Sequence, residues 1–173
     1  PRRTVFYFPG CGSERLFSRI SQAAIHVLLE TGTRVIIPPP FLCCGFPAHA
    51  NALTGQHGRT VLRDTILFSQ VRDMFSHLTF DAVVVSCGTC MDGLEGMEVE
   101  KIFGAPVVDA IGFALDAGLA LPGQAPAALY HTPCHDSLRG TGVATLARAG
   151  FPAVEVPHCC SEAGTLALSR PDI

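Results

Sequence analysis

The chain has 173 residues, 48% hydrophobic and 16% charged, with a formal net charge of −3. That length carries a sizeable core, either in one compact domain or in two small halves that share it. The low charge and high apolar content exclude a disordered chain. No apolar run reaches the roughly eighteen residues of a membrane span; the nearest, Val107 to Leu121, is interrupted by Asp109 and Asp116. A single lysine, Lys101, leaves no basic stripe for a phosphate backbone, so nucleic acid is not expected as a partner.

Strands and helices alternate along the chain. Thr4–Phe8 is a β-branched and aromatic run closed by Pro9-Gly10, which predicts a strand. Ser13 is the expected cap of a helix whose apolar positions Leu16, Phe17, Ile20, Ala24, Val27 and Leu28 keep the helical period up to Gly32. Arg34–Ile37 predicts a second strand, with Pro38-Pro39-Pro40 stiffening its exit. A long helix is expected over Asn51–Leu78, with Val61, Phe68, Val71, Phe75 and Leu78 on its buried face and Arg63, Asp64, Arg72 and Asp73 mostly away from it. Ala82–Val85 and Pro106–Asp109 are short apolar runs suited to buried strands. The stretch 121–126 is the expected linker. Beyond it Ala127–His131 predicts a strand, Asp136–Ala149 a helix and Ala153–Val156 a further strand. The expected fold class is therefore α/β, with parallel strands and helices on their faces.

The two cycles echo each other. Tyr7-Phe8-Pro9-Gly10-Cys11 matches Tyr130-His131-Thr132-Pro133-Cys134, and Cys43-Cys44-Gly45 matches Cys159-Cys160-Ser161. The expectation is two related Rossmann-like βα units, 1–121 complete and 127–173 the start of a second, truncated one.

Eight cysteines suit a disulfide scaffold poorly. The chain has apolar segments enough for a core. The neighbouring pairs Cys43-Cys44 and Cys159-Cys160 rarely bridge, because Cα atoms ~3.8 Å apart across a trans peptide fall short of disulfide geometry. A reducing, intracellular setting with thiolates as ligands or redox groups fits better. Each cysteine falls just after a predicted strand, where open α/β sheets gather their ligands. Cys11, Cys43, Cys44, Cys87 and Cys90 can therefore reach one region. Helix N-termini lower thiol pKa values there, and the adjacent glycines free backbone N–H groups for sulfur. Zinc takes four such ligands in a closed tetrahedron, so a fifth is surplus, whereas iron–sulfur clusters take cysteine thiolates around several irons. A thioredoxin-like redox pair at Cys87-x-x-Cys90 and isolated buried cysteines are the alternatives.

The strings Tyr-Phe-Pro-Gly-Cys11, Leu-Cys43-Cys44-Gly-Phe-Pro, Ser-Cys87-Gly-Thr-Cys90 and Tyr-His-Thr-Pro-Cys134-His together resemble the cysteine-rich CCG domain. That domain occurs in heterodisulfide reductase, in the iron–sulfur subunits of glycolate oxidase and anaerobic glycerol-3-phosphate dehydrogenase, and in lactate-utilisation proteins. The wording is also similar to the C-terminal part of fusions with an FAD-linked, D-lactate dehydrogenase-like oxidase. The resemblance implies electron transfer from a flavin-linked dehydrogenase acting on a 2-hydroxy acid or glycerol 3-phosphate. It further implies an iron–sulfur cluster (a non-cubane 4Fe-4S type among the options), FAD on a separate domain or subunit, and quinone or another acceptor. Carried over by position, Cys11, Cys43, Cys44, Cys87 and Cys90 would ligate the first centre, and Cys134, Cys159 and Cys160 would begin a second. Zinc in one motif and heterodisulfide-style thiol chemistry are the alternatives. The implied setting is cytoplasmic, with peripheral attachment at the inner membrane face as a variant.

The second motif departs from the pattern: Ser161 replaces the glycine and no second Cys-x-x-Cys follows. The missing pair is expected downstream in a longer protein. His135, His131 and His158 stand near cysteines as candidates to tune a centre or simply to end a strand, while His49 and His57 are expected at the surface. Gly140-x-Gly142 interrupts a helical stretch and makes no dinucleotide fingerprint, and no serine has a nucleophile-elbow context. No complete active site is expected in this chain alone.

Overall fold

A computed structural model of the chain describes residues 2–121 and 126–161. The strands are β1 (Thr4–Phe8), β2 (Arg34–Ile36), β3 (Ala82–Val85), β4 (Val107–Asp109), β5 (Ala128–Tyr130) and β6 (Ala153–Glu155). The helices are α1 (Gly10–Arg15), α2 (Ser18–Glu30), α3 (Phe46–Ala50), α4 (Thr54–Met74), α5 (Gly88–Gly96), α6 (Val99–Phe103), α7 (Ala110–Asp116) and α8 (Gly142–Arg148). The fold is α/β, as expected. Strands β2-β1-β3-β4 form one parallel sheet, and β5-β6 a second, parallel pair.

Strand β1 lies in the middle, with Val5 opposite Val35 on one side and Ala82 on the other. Because side chains alternate along a strand, its two faces build two cores. Phe6 and Phe8, with Val83, Val85 and Val107, pack under Phe68 and Val71 of α4, Leu94 of α5 and Phe103 of α6. Val5, Tyr7 and Val84 face Ala24 and Leu28 of α2 and Ala110 of α7. Covered on both sides, β1 and β3 are buried at every position, which is why they read as unbroken apolar runs. Phe6 stacks on Phe103 at 4.5 Å and meets Phe68 edge-on at 5.6 Å.

Several expectations are corrected. Ser13 caps nothing: α1 begins at Gly10, Ser13 is buried inside it, and its carbonyl accepts the Ser21 hydroxyl at 2.9 Å. The chain breaks at Leu16-Phe17 before α2. That break turns the expected apolar positions Leu16 and Phe17 out to solvent, at 77% and 61% exposure. The long helix expected over Asn51–Leu78 is α4, shorter at both ends, and a further short helix not expected from the sequence, α3 with Pro47 at its start, precedes it. Asp64 does not face away but is fully buried. Helix α8 starts at Gly142, because the Asp136 carboxylate accepts the N–H groups of Leu138 and Gly140 and holds that segment as a turn. The linker expected at 121–126 falls mostly outside the described residues. The second pair of strands is thinly covered, with Leu129 and Val154 exposed.

Truncating Phe6 to Ala should cost about 3–5 kcal/mol in a denaturant titration, since it empties the centre of the larger core. Leu129→Ala, on an exposed face, should change stability by less than about 0.5 kcal/mol.

Candidate metal centre

Strand β1 has β2 on one side and β3 on the other, so the chain leaves β1 toward one edge of the sheet and leaves β3 toward the other. At such a switch point the carboxyl ends of the strands open a crevice. The loop after β1 brings Cys11 into α1, and the loop after β3 brings Cys87 and Cys90 to the start of α5. The long segment after β2 returns Cys43 and Cys44 between them. The five sulfurs form a row. Cys43 Sγ is 3.5 Å from Cys11 Sγ, Cys44 is faced by the thiols of Cys43 and Cys90, and Cys90 in turn faces Cys87. Cys44 and Cys90 are 3% and 5% exposed, while Cys11, Cys43 and Cys87 are half-buried. Among the described residues, no three Cys, His, Asp or Glu side chains close around one point as they would around a single ion.

Two close approaches hold the row together. Gly10, at φ +73°, lies so near Cys90 that a Cβ would fall 2.5 Å from its sulfur; it joins the end of β1 to the start of α5 without a side chain between them. Gly93 on α5 meets Cys44, where a Cβ would lie 2.7 Å from the Cys44 Cβ. The segment before Cys43 is pinned from several sides. Phe41 adopts φ +69°, a left-handed conformation costly for a bulky residue. Its N–H donates to the Glu14 carboxylate at 3.0 Å, and Arg15 lies over its ring at 5.0 Å. The buried Asp64 accepts the Cys43 N–H at 2.8 Å and is itself paired with Arg63. Arg63 also reaches the Phe41 carbonyl at 3.4 Å.

The row shares its protons unevenly. The Cys43 and Cys90 thiols facing Cys44 hold it well below the usual thiol range despite its burial. Cys87 is lowered to about 5, first by the Cys90 thiol, then by the Thr89 hydroxyl at 3.0 Å and the backbone N–H groups of Cys90 and Thr89. Cys43 is raised chiefly by Cys44 and by burial, and Cys90 chiefly by Cys44 and Cys87. Thiolates therefore alternate with thiols that donate to them. Ionised sulfur is the form that binds metal.

The residues expected in the first centre come together, whereas those of the second motif lie at the surface. Cys134, Cys159 and Cys160 are exposed, and the Ser161 N–H approaches Cys159 Sγ at 3.4 Å. Three neighbours of the site escaped the sequence reading. Asp64 is spaced with Val61, Phe68 and Val71 on one face of α4, a signal hidden by its charge. His57, expected at the surface, is half-buried with Nδ1 3.1 Å from the Gly45 carbonyl oxygen. Asp92 on α5 pairs with His135. A cavity of about 300 Å³ opens beside Cys44, lined among others by Phe46, His49, His57, Asp92 and Gly93.

The family model described as a cysteine-rich domain, CCG, matches residues 5–95. The chain is 29% identical to an uncharacterized iron-sulfur protein of Methanococcus maripaludis, over 98% of this chain and 34% of that protein. It is 28% identical to a subunit of the anaerobic glycerol-3-phosphate dehydrogenase of Escherichia coli K12, over 96% of this chain and 45% of that one. It is 25% identical to lactate utilization protein A of Exiguobacterium, over 98% and 75%. The chain thus spans about a third to under a half of the first two relatives. No solved structure matches it.

In the reduced, metal-free protein, iodoacetamide labelling of Cys87 should stay nearly level from about pH 8 down to about pH 6 and fall near pH 5. A depressed pKa keeps the thiolate populated until the pH passes below it, whereas an ordinary thiol loses about tenfold in rate per unit below its own pKa. Gly93→Ala should push Cys44 out of the row. It should lower stability by about 1–3 kcal/mol in a denaturant titration, an overpacking cost, whereas Gly96→Ala, with open space around it, should not.

Proposed function

Because the chain belongs to the cysteine-rich CCG domain family, we propose that it is an iron–sulfur electron-transfer module. Cys11, Cys43, Cys44, Cys87 and Cys90 hold the first centre. The observation that carries this reading is the contiguous row of five sulfurs at the switch point of the sheet. An all-sulfur set of five fits an iron–sulfur cluster in donor chemistry and exceeds the four ligands of a closed zinc site. A bound cluster supplies one-electron storage. The chain's own residues do the rest: the Asp64 carboxylate fixes the Cys43 backbone, and Thr89 and the α5 amides hold Cys87 as a thiolate. The aromatic core beneath Phe8 keeps water from the buried side of Cys44 and Cys90.

In this proposal the electrons come from a flavin-linked dehydrogenase subunit or domain that carries FAD, and pass on to quinone or another acceptor. The relatives named for glycerol-3-phosphate dehydrogenase and lactate utilization support that partner class, and with it a 2-hydroxy acid or glycerol 3-phosphate as the compound oxidised. Among the described residues no helix is long and apolar enough to cross a membrane. The proposed setting is the cytoplasm, where thiols stay reduced. The units 1–121 and 127–173 are proposed as a first and a beginning second motif, with Cys134, Cys159 and Cys160 contributing to a second centre.

Anaerobic purification or reconstitution, followed by iron, acid-labile sulfide and EPR analysis, tests the reading. Iron and sulfide in cluster proportion are expected, with loss of the first centre's signal in Cys90→Ala. Stoichiometric zinc without iron after reconstitution would overturn it.

A further inference from the structure

The loop between β5 and α8 is not a bystander to the first sulfur row. His135 touches a residue within two positions of each of three of its cysteines. Its backbone carbonyl lies over Gly88, next to Cys87, so closely that a Cβ on Gly88 would fall 1.7 Å from that oxygen. Its Nδ1 is 2.5 Å from the carboxylate of Asp92, two residues past Cys90. Its ring meets Phe46 edge-on, with centroids 4.7 Å apart, two residues past Cys44. The neighbouring residues secure the same loop: the Ser137 hydroxyl donates to Asp109 at 2.6 Å, and Arg139 pairs with Glu95 of α5.

A half-exposed side-chain hydrogen bond alone contributes little. Here it is one of three attachments from a single residue to both walls of the crevice, α5 and the segment after the Cys-Cys-Gly string. A side chain at Gly88 would leave that carbonyl no room. We propose that His135 is a positioning residue of the first sulfur row, holding α5 against the Cys43–Phe46 segment so that the thiols of the two walls keep their separation. The inference concerns the first centre and so rests on the reading of that row as an iron–sulfur site. It adds that the second βα unit, through the residue adjoining Cys134, helps set the geometry of the first.

The test uses the full-length protein with His135→Ala, with His135→Gln as the variant that can still donate to Asp92, and with Arg148→Ala as a control. Arg148 joins the same two units, through Asp116, away from the cysteines. Hydrogen exchange of α5 is followed in the reduced, metal-free protein, and EPR line shape and midpoint potential after anaerobic reconstitution. In His135→Ala, exchange over 88–96 should quicken by about tenfold. The first centre's spectrum and potential should move. His135→Gln should recover much of both, and Arg148→Ala should change neither. Unchanged exchange in His135→Ala, or an equal effect from Arg148→Ala, would overturn the proposal. If His135→Ala does not fold, Asp92→Asn should give the same pattern in weaker form, and an unshifted spectrum and exchange there would overturn it equally. If neither wild type nor variant takes up iron and sulfide, the iron–sulfur reading fails, and the exchange data still decide whether His135 holds α5.

Discussion

Parallel pairing of β1 with β2 on one side and β3 on the other is what the sulfur row depends on. Three successive strand ends point the same way, and the loops leaving them diverge around a crevice. Without that shared central strand, Cys11, the Cys43-Cys44 pair and Cys87-x-x-Cys90 would have no reason to meet. The pairing is made secure by burial: β1 and β3 are covered on both faces, and a slip of register by one residue would exchange the aromatic Phe6–Phe8 face for the Val5–Tyr7 face. The same arrangement explains the glycines. Gly10 stands where the end of β1 meets α5, and Gly93 where α5 meets the Cys44 segment, each closer than a side chain permits.

The site is polar chemistry at the rim of an apolar core. Cys44 and Cys90 belong to the larger core cluster, so their charge state cannot be settled by water and is settled by one another. Alternation of thiolate and thiol lets buried sulfurs keep negative charge with a donor beside each. The buried Asp64 carboxylate adds a further negative group close by, compensated by Arg63 and directed at the Cys43 N–H. Its position serves two ends: one carboxylate ties the loop carrying the paired cysteines to α4, and through Arg63 to the strained Phe41.

Much of this was legible in the sequence because its signals are local. A β-branched and aromatic run closed by Pro9-Gly10 marked β1, a short apolar run marked β3, and cysteines beside glycines marked the strand ends. What was not legible depends on tertiary partners. Ser13 looks like a helix cap, yet the chain after Pro9 turns directly into α1. Asp64 looks solvated by its charge, although its spacing from Val61, Phe68 and Val71 places it inward. Asp136 looks like the start of a helix, while its carboxylate bonds its own turn. The contacts of His135 span more than forty residues of sequence and leave no periodic trace.

The five proposed ligands arrive in three instalments, from Cys11 to Cys90, and the sheet that gathers them is built in the order in which it is paired rather than from one edge. As the chain is synthesised, β1 and β2 can meet early, leaving Cys11 and the Cys43-Cys44 pair together beside an open flank of β1. That flank closes only when β3 is delivered, after the whole of α4 has been made. The connection is non-local and therefore slow relative to helix formation. Until then three thiols stand uncovered and incompletely matched. In the proposed reading the ligand set is therefore complete only late in folding, and the interval before that is when its sulfurs are most open to oxidation.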